Sequence, residues 1–122
     1  MAAFAGTKLR NKILHIAFEP QLHGVQRRLM ETSGYNVLTV LGDNGVDELD
    51  LAALAVNVVV VDYSAPFEQR WGLVRSLKLN YPEIPVIALR EDAADDTISL
   101  ADHNASLQNP AEWLDTIAIA LV

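Results

Sequence analysis

Residues 57–62 read NVVVVD, and this stretch decides the fold. Four consecutive valines put β-branched side chains on both faces of an extended chain, which marks a strand covered on both sides inside a parallel sheet. The run ends in Asp62. In open α/β sheets ligands and chemistry gather outside the carboxyl ends of the strands, so this acid sits where function is expected.

Outward from that strand, residues 13–17 (ILHIA) and 85–89 (PVIAL) have the same apolar character, and residues 36–41 (NVLTVL) are entered through Gly34 and left through Gly42. A weaker fifth strand is expected near residues 105–107. Between the strands the period becomes helical. In residues 20–33, Leu22, Val25 and Leu29 fall at i, i+3 and i+7, with Pro20 in the first turn and Gly34 at the stop. Residues 46–54 (VDELDLAAL) form a short amphipathic segment. Residues 66–80 place Trp71, Val74 and Leu77 along one side, and Pro82 prevents continuation. At the end, Asn109 is an N-cap, Pro110 fits the first helical position, and Leu114, Ile117 and Leu121 mark the buried stripe. Trp113 precedes that stripe by one residue, about 100° around the helix, and is therefore expected at its edge, partly exposed. Residues 91–104 are acidic, with Ile98 and Leu100 as anchors for a short or frayed helix. Alternating strands and helices imply βαβ units and a three-layer α/β/α sandwich. One domain, residues 12–122, follows a flexible leader, residues 1–11.

Composition narrows the function. The 122 residues suffice for one domain with a real core, and 51% hydrophobic with 20% charged residues is ordinary globular material. A net charge of −7 with nine scattered basic residues argues against nucleic-acid binding. The lack of cysteine excludes thiol catalysis, Cys-based zinc sites and disulfides. No apolar run is long enough to span a bilayer, and Lys8 and Arg10 follow rather than precede the short apolar start, so neither a membrane nor an export signal is read and the cytoplasm is the expected location. His15, His23 and His103 do not share a metal-ligand spacing; His15 is expected to pack within the first strand, the others at the surface. Asp95 and Asp96 read as a solvated turn, without EF-hand spacing around them. No catalytic triad or paired-carboxylate site is visible, and no Gly, Ser or Thr cluster follows the first strand to cradle phosphate, so an enzyme is not expected.

Three stretches together carry a family resemblance. KILHIAFEPQLHGVQRRLMETSGYNV (12–37), VNVVVVDYSAP (56–66) and YPEIPVIALRE (81–91) resemble, in order, the opening, the third strand and the lead into the fourth strand of a response-regulator receiver domain. The resemblance implies a CheY-like, flavodoxin-like sheet of order 2-1-3-4-5 and a place in two-component signal transduction. It puts Asp62 at the phospho-acceptor position, where an aspartate attacks a phosphoryl group while Mg²⁺ held by nearby acids neutralises the charge on oxygen. This chain departs from that pattern. Ala17 and Phe18 stand where the family has its acidic pair, leaving Glu19; the Ser/Thr switch position carries Arg90; and no lysine occurs after Lys78. A bulky Phe18 also takes space that a metal and its waters would need. The expectation is thus a degenerate receiver, with weak or absent Mg²⁺ binding and no cofactor, acting as a protein-interaction module. Its partners would be proteins of a signalling pathway, a histidine kinase or an output protein, or a second copy of the chain, whether it stands alone or was excised from a larger protein. Alternatives are a receiver phosphorylated on Asp62 in an unusual site, and a flavodoxin-like small-molecule binder. Arg90 is expected to pair with Asp62 in place of the missing cation. The face built from the fourth helix, fifth strand and last helix, with Trp113 as anchor, is the expected interaction surface.

Overall fold

In a computed structural model the valine run becomes the central strand of the sheet. Residues 11–19, 23–91 and 97–122 are described. The leader up to Arg10, the helix-start residues Pro20 and Leu22, and the Asp95–Asp96 turn lie outside them, as does the side chain of His23. The elements are β1 (Lys12–Ala17), α1 (His23–Thr32), β2 (Asn36–Leu41), α2 (Gly42–Asp47), β3 (Val58–Val61), α3 (Phe67–Asn80), β4 (Val86–Arg90), β5 (His103–Ser106) and α4 (Pro110–Ala120). All strand pairs are parallel and the order is β2-β1-β3-β4-β5, as expected.

Because strand side chains alternate between faces, the sheet carries two cores. Ile13, Val58, Val60, Ile87, Leu89 and Ala105 meet Met30 of α1 with Trp113 and Ile117 of α4. Leu14, Ile16, Val59, Val61, Val86 and Ala88 meet Val46 of α2 with Leu73, Val74 and Leu77 of α3. All four valines of β3 are at most 1% exposed, which is why that strand tolerates no polar alternation. The helices thus cover both faces, giving three layers.

Two helices face the core with residues other than those expected. On α1, Gln26 and Met30 face the core, while Val25 is 72% exposed. On α4 the inward stripe is Trp113 and Ile117, at 1% and 0% exposure, and Leu114 is half-buried at its edge. The expectation of an exposed Trp113 is therefore corrected: an indole removes more apolar surface from water than a leucine, and the helix settles with the larger group inside. The exposed tryptophan is Trp71, because α3 buries Arg70, Leu73, Val74 and Leu77 instead. Arg70 can be buried because its Nε donates to the Ala65 carbonyl at 2.8 Å.

Two segments differ in extent. The segment expected as a helix over residues 46–54 is helical only to Asp47. Beyond it the Asp50 carboxylate accepts from the Ala52 and Ala53 amides, an alternative to helical pairing that restarts the chain as turns, ending at Ala55 with φ +57°. In the stretch expected as a frayed helix, residues 97–102 form turns. There the Asn104 side chain accepts from the Ile98 amide at 2.8 Å and donates to the Ile98 carbonyl at 3.0 Å. Ile98 is fully buried while Leu100 is 40% exposed, so a single apolar anchor is pinned by a side chain rather than by helical bonds.

Local chemistry fixes the ends of other elements. Asn109 caps α4 as expected, accepting from the Glu112 amide at 3.2 Å, with Pro110 following. At the entry to β4, Lys78 Nζ donates to the carbonyls of Pro82 and Ile84 and to Asp102 Oδ2 at 2.9 Å. The same oxygen accepts from the Val86 amide at 2.8 Å. Partial burial opposes ionisation of Asp102, but the Lys78 ammonium and the Val86 N–H together hold its carboxyl below the ordinary value.

Candidate functional site

Asp62 continues the alternation of Val58 and Val60, so its side chain lies on the α1 side of the sheet at the carboxyl end of β3. Its amide donates to the Ile16 carbonyl at 2.9 Å, which holds the residue at the sheet's rim. The side chain is 0% exposed. Oδ1 accepts from Gln26 Nε2 at 3.0 Å, and Oδ2 accepts from Ser64 Oγ at 3.2 Å.

The Gln26 contact belongs to a longer chain of hydrogen bonds. Since its Nε2 donates to Asp62, its Oε1 faces His15 Nε2 at 3.0 Å, and that ring nitrogen must carry the proton. In the neutral ring His15 Nδ1 then accepts from Thr39 Oγ1 at 3.3 Å. Hydrogen bonds thus link Thr39 on β2 through His15 on β1 and Gln26 on α1 to the Asp62 carboxylate. His15, Gln26 and Asp62 are 0%, 6% and 0% exposed, a burial that polar groups sustain only when satisfied. His15 is thus packed within its strand as expected. Gln26 went unnoticed in the sequence; the available signal was a His inside an apolar strand together with a Gln between two candidate stripe positions.

The other residues singled out by sequence are not gathered around Asp62 as a ligand set. Ala17 is fully buried; the half-buried Phe18 packs against the core on the α3 side; Glu19 is half-buried. Burial, followed by the negative charges of Asp62, Glu91 and Glu19, pushes the Tyr63 phenol above its ordinary value.

The expected Arg90–Asp62 pair does not form. The ion pairs among the described residues are Arg27–Glu31 and Lys78–Asp102, and the Arg90 Nε is buried without a hydrogen-bond partner. The reason is the two-residue period. Val61 is level with Ala88, which puts Asp62 level with Leu89, on the α1 side. Arg90 follows Val86 and Ala88 onto the opposite face.

The family's acidic pair for Mg²⁺ has no side-chain oxygens at its counterparts in this chain. The ion demands near-octahedral oxygen coordination, yet Ala17 and Phe18 offer no side-chain oxygen, and Asp62 Oδ1 is already met by an N–H donor. Among the described residues no group of three or more His, Asp or Glu side chains is placed to hold a metal, and no helix is long and apolar enough to cross a membrane. Beside the site, Val25, Gln26, Leu29, Tyr63, Leu107, Pro110 and Trp113 line a shallow cavity of about 210 Å³. Trp113 forms part of its wall while remaining core.

No family model matches the chain, and no curated protein matches it. Solved structures do. A response-regulator receiver domain protein from Clostridium thermocellum is 23% identical, with a TM-score of 0.76 over 90% of this chain and 93% of that one. The response regulator TrrA from Thermotoga maritima, in complex with Mg²⁺–BeF, is 16% identical, with a TM-score of 0.75 over 92% and 99%. TrrA in complex with the histidine kinase ThkA aligns at 17% identity and a TM-score of 0.73, over 92% and 99%. At these identities the likeness establishes the shared CheY-like fold.

Proposed function

We propose that this chain is an atypical receiver domain of two-component signalling, acting as a protein-interaction module without Mg²⁺-dependent phosphorylation of Asp62. The observation that carries this reading is the enclosure of the Asp62 carboxylate, whose two oxygens are engaged by Gln26 and Ser64. Aspartyl phosphorylation needs a free carboxylate oxygen aligned on phosphorus and a cation to neutralise the equatorial oxygens. Here the first is tied down by donors of its own chain, and Ala17 and Phe18 stand where acids would hold the second. The fold shared with TrrA, crystallised with its kinase, supports a protein partner, and the net charge of −7 speaks against nucleic acid. The test is exposure of the protein to an acyl phosphate, or to beryllofluoride, with millimolar Mg²⁺, followed by mass spectrometry and by amide NMR. No mass increase and unchanged shifts around Asp62 are expected; a phosphoryl adduct or saturable shifts clustered there would overturn the reading.

A further inference from the structure

Helix α1 has two adjacent stripes that compete for the core. Val25 and Leu29 form an i, i+4 apolar pair, the natural inward face by composition. The structure instead turns Gln26 and Met30 inward at 6% and 0% exposure, keeps Leu29 half-buried against the same core and leaves Val25 72% exposed. An amide replaces an aliphatic side chain in the interior, an arrangement that hydrophobic burial alone disfavours. What compensates is the Gln26 Nε2–Asp62 Oδ1 bond, a hydrogen bond to a carboxylate, backed by His15 at the other end of the amide. The exposed Gly24 stands just before the pair, where an added Cβ would meet nothing within 4 Å, and Gly34, at φ +97°, follows the helix.

We infer that Asp62 sets the rotation of α1 through Gln26, so that a change at the carboxylate is converted into burial or exposure of Val25, beside a Leu29 that already touches the core. With the carboxylate present, the amide is satisfied and Val25 is presented to solvent beside Tyr63 and Leu107, in the shallow cavity next to the site. With the acceptor removed, Gln26 loses its reason to be inside and the apolar stripe takes its place, about 100° around the helix. This coupling goes beyond the proposed function, since it concerns how the Asp62 carboxylate positions α1 and requires no phosphorylation of it.

The absence of cysteine from the chain makes the test direct. Val25→Cys and Met30→Cys, introduced separately, report opposite faces of α1 through their rates of reaction with a thiol reagent. In the otherwise unchanged protein the first should react fast and the second slowly. Adding Asp62→Ala should slow the cysteine at 25 and speed the one at 30, each by about tenfold or more. Adding Gln26→Leu to the Asp62→Ala background supplies an apolar inward residue and should restore both original rates. Unchanged rates in Asp62→Ala overturn the inference, as does acceleration at both positions, which marks loss of the helix rather than its rotation. Failure of Gln26→Leu to restore the pattern overturns it too.

Discussion

Gln26 and Trp113 show how single side chains set the local structure here. A glutamine at 6% exposure is stable because its oxygen and its amide hydrogen are both committed, to His15 and to Asp62. Gln26→Ala strips Asp62 of a donor while leaving it buried, and a buried charged acceptor that loses a partner costs about 1.5–3 kcal/mol. Urea unfolding should show that loss; a change within experimental scatter would mean that the carboxylate finds another donor. Trp113 is a separate case of apolar burial, at 1% exposure between β4, β5 and the helix layer. Its replacement by Ala should destabilise by about 3–5 kcal/mol, read as a lower denaturation midpoint. A stability near wild type, with weakened self-association, would instead return Trp113 to the surface role first expected of it.

At the scale of elements, the Lys78–Asp102 clamp joins the end of α3 to the entry of β4 and β5. Because the folded Asp102 carboxyl is held below its ordinary value, its contribution is present above the unfolded pKa, near 4. That contribution is lost as pH falls through the lower folded value. Asp102 is 40% exposed, so solvent screening limits it to about 0–1 kcal/mol. Asp102→Asn should therefore lower stability slightly at pH 7, and the gap to wild type should close on acidification below about pH 4. Thermal melts at the two pH values check this; a gap that widens in acid would refute the clamp. The interrupted α2 follows the same local logic, since Asp50 supplies its own acceptor to Ala52 and Ala53.

For the whole molecule, the two cores meet across β1, β3 and β4, whose core residues are nearly all below 2% exposure, whereas β2 is largely half-exposed along one edge. Amide exchange should follow that gradient: the slowest amides in β1, β3 and β4, faster ones in β2 and in residues 97–102. Equal protection of β2 and β3 would contradict the picture of a sheet stabilised from its centre. The same architecture brings Thr39, His15, Gln26 and Asp62 from three strands and a helix into one line, although 47 positions separate His15 from Asp62 (62 − 15).

The strands, their parallel arrangement and the capped final helix were legible in the sequence because they rest on local chemistry: β-branched runs, Gly and Pro stops, and an Asn–Pro helix start. The position of Asp62 at the carboxyl end of β3 was legible as well, from its place after the valines. The inward residues of α1 and of the first turn of α4 were not, because adjacent residues such as Val25 and Gln26, or Trp113 and Leu114, compete for the same core, and only the partner layers decide between them. The separation of Arg90 from Asp62 was likewise a matter of register between strands, since a shift of one residue moves a side chain to the other face. Composition and periodicity determined which segments form the sheet; packing across it decided which polar groups meet inside, because a buried amide is tolerable only where a distant segment supplies its partner.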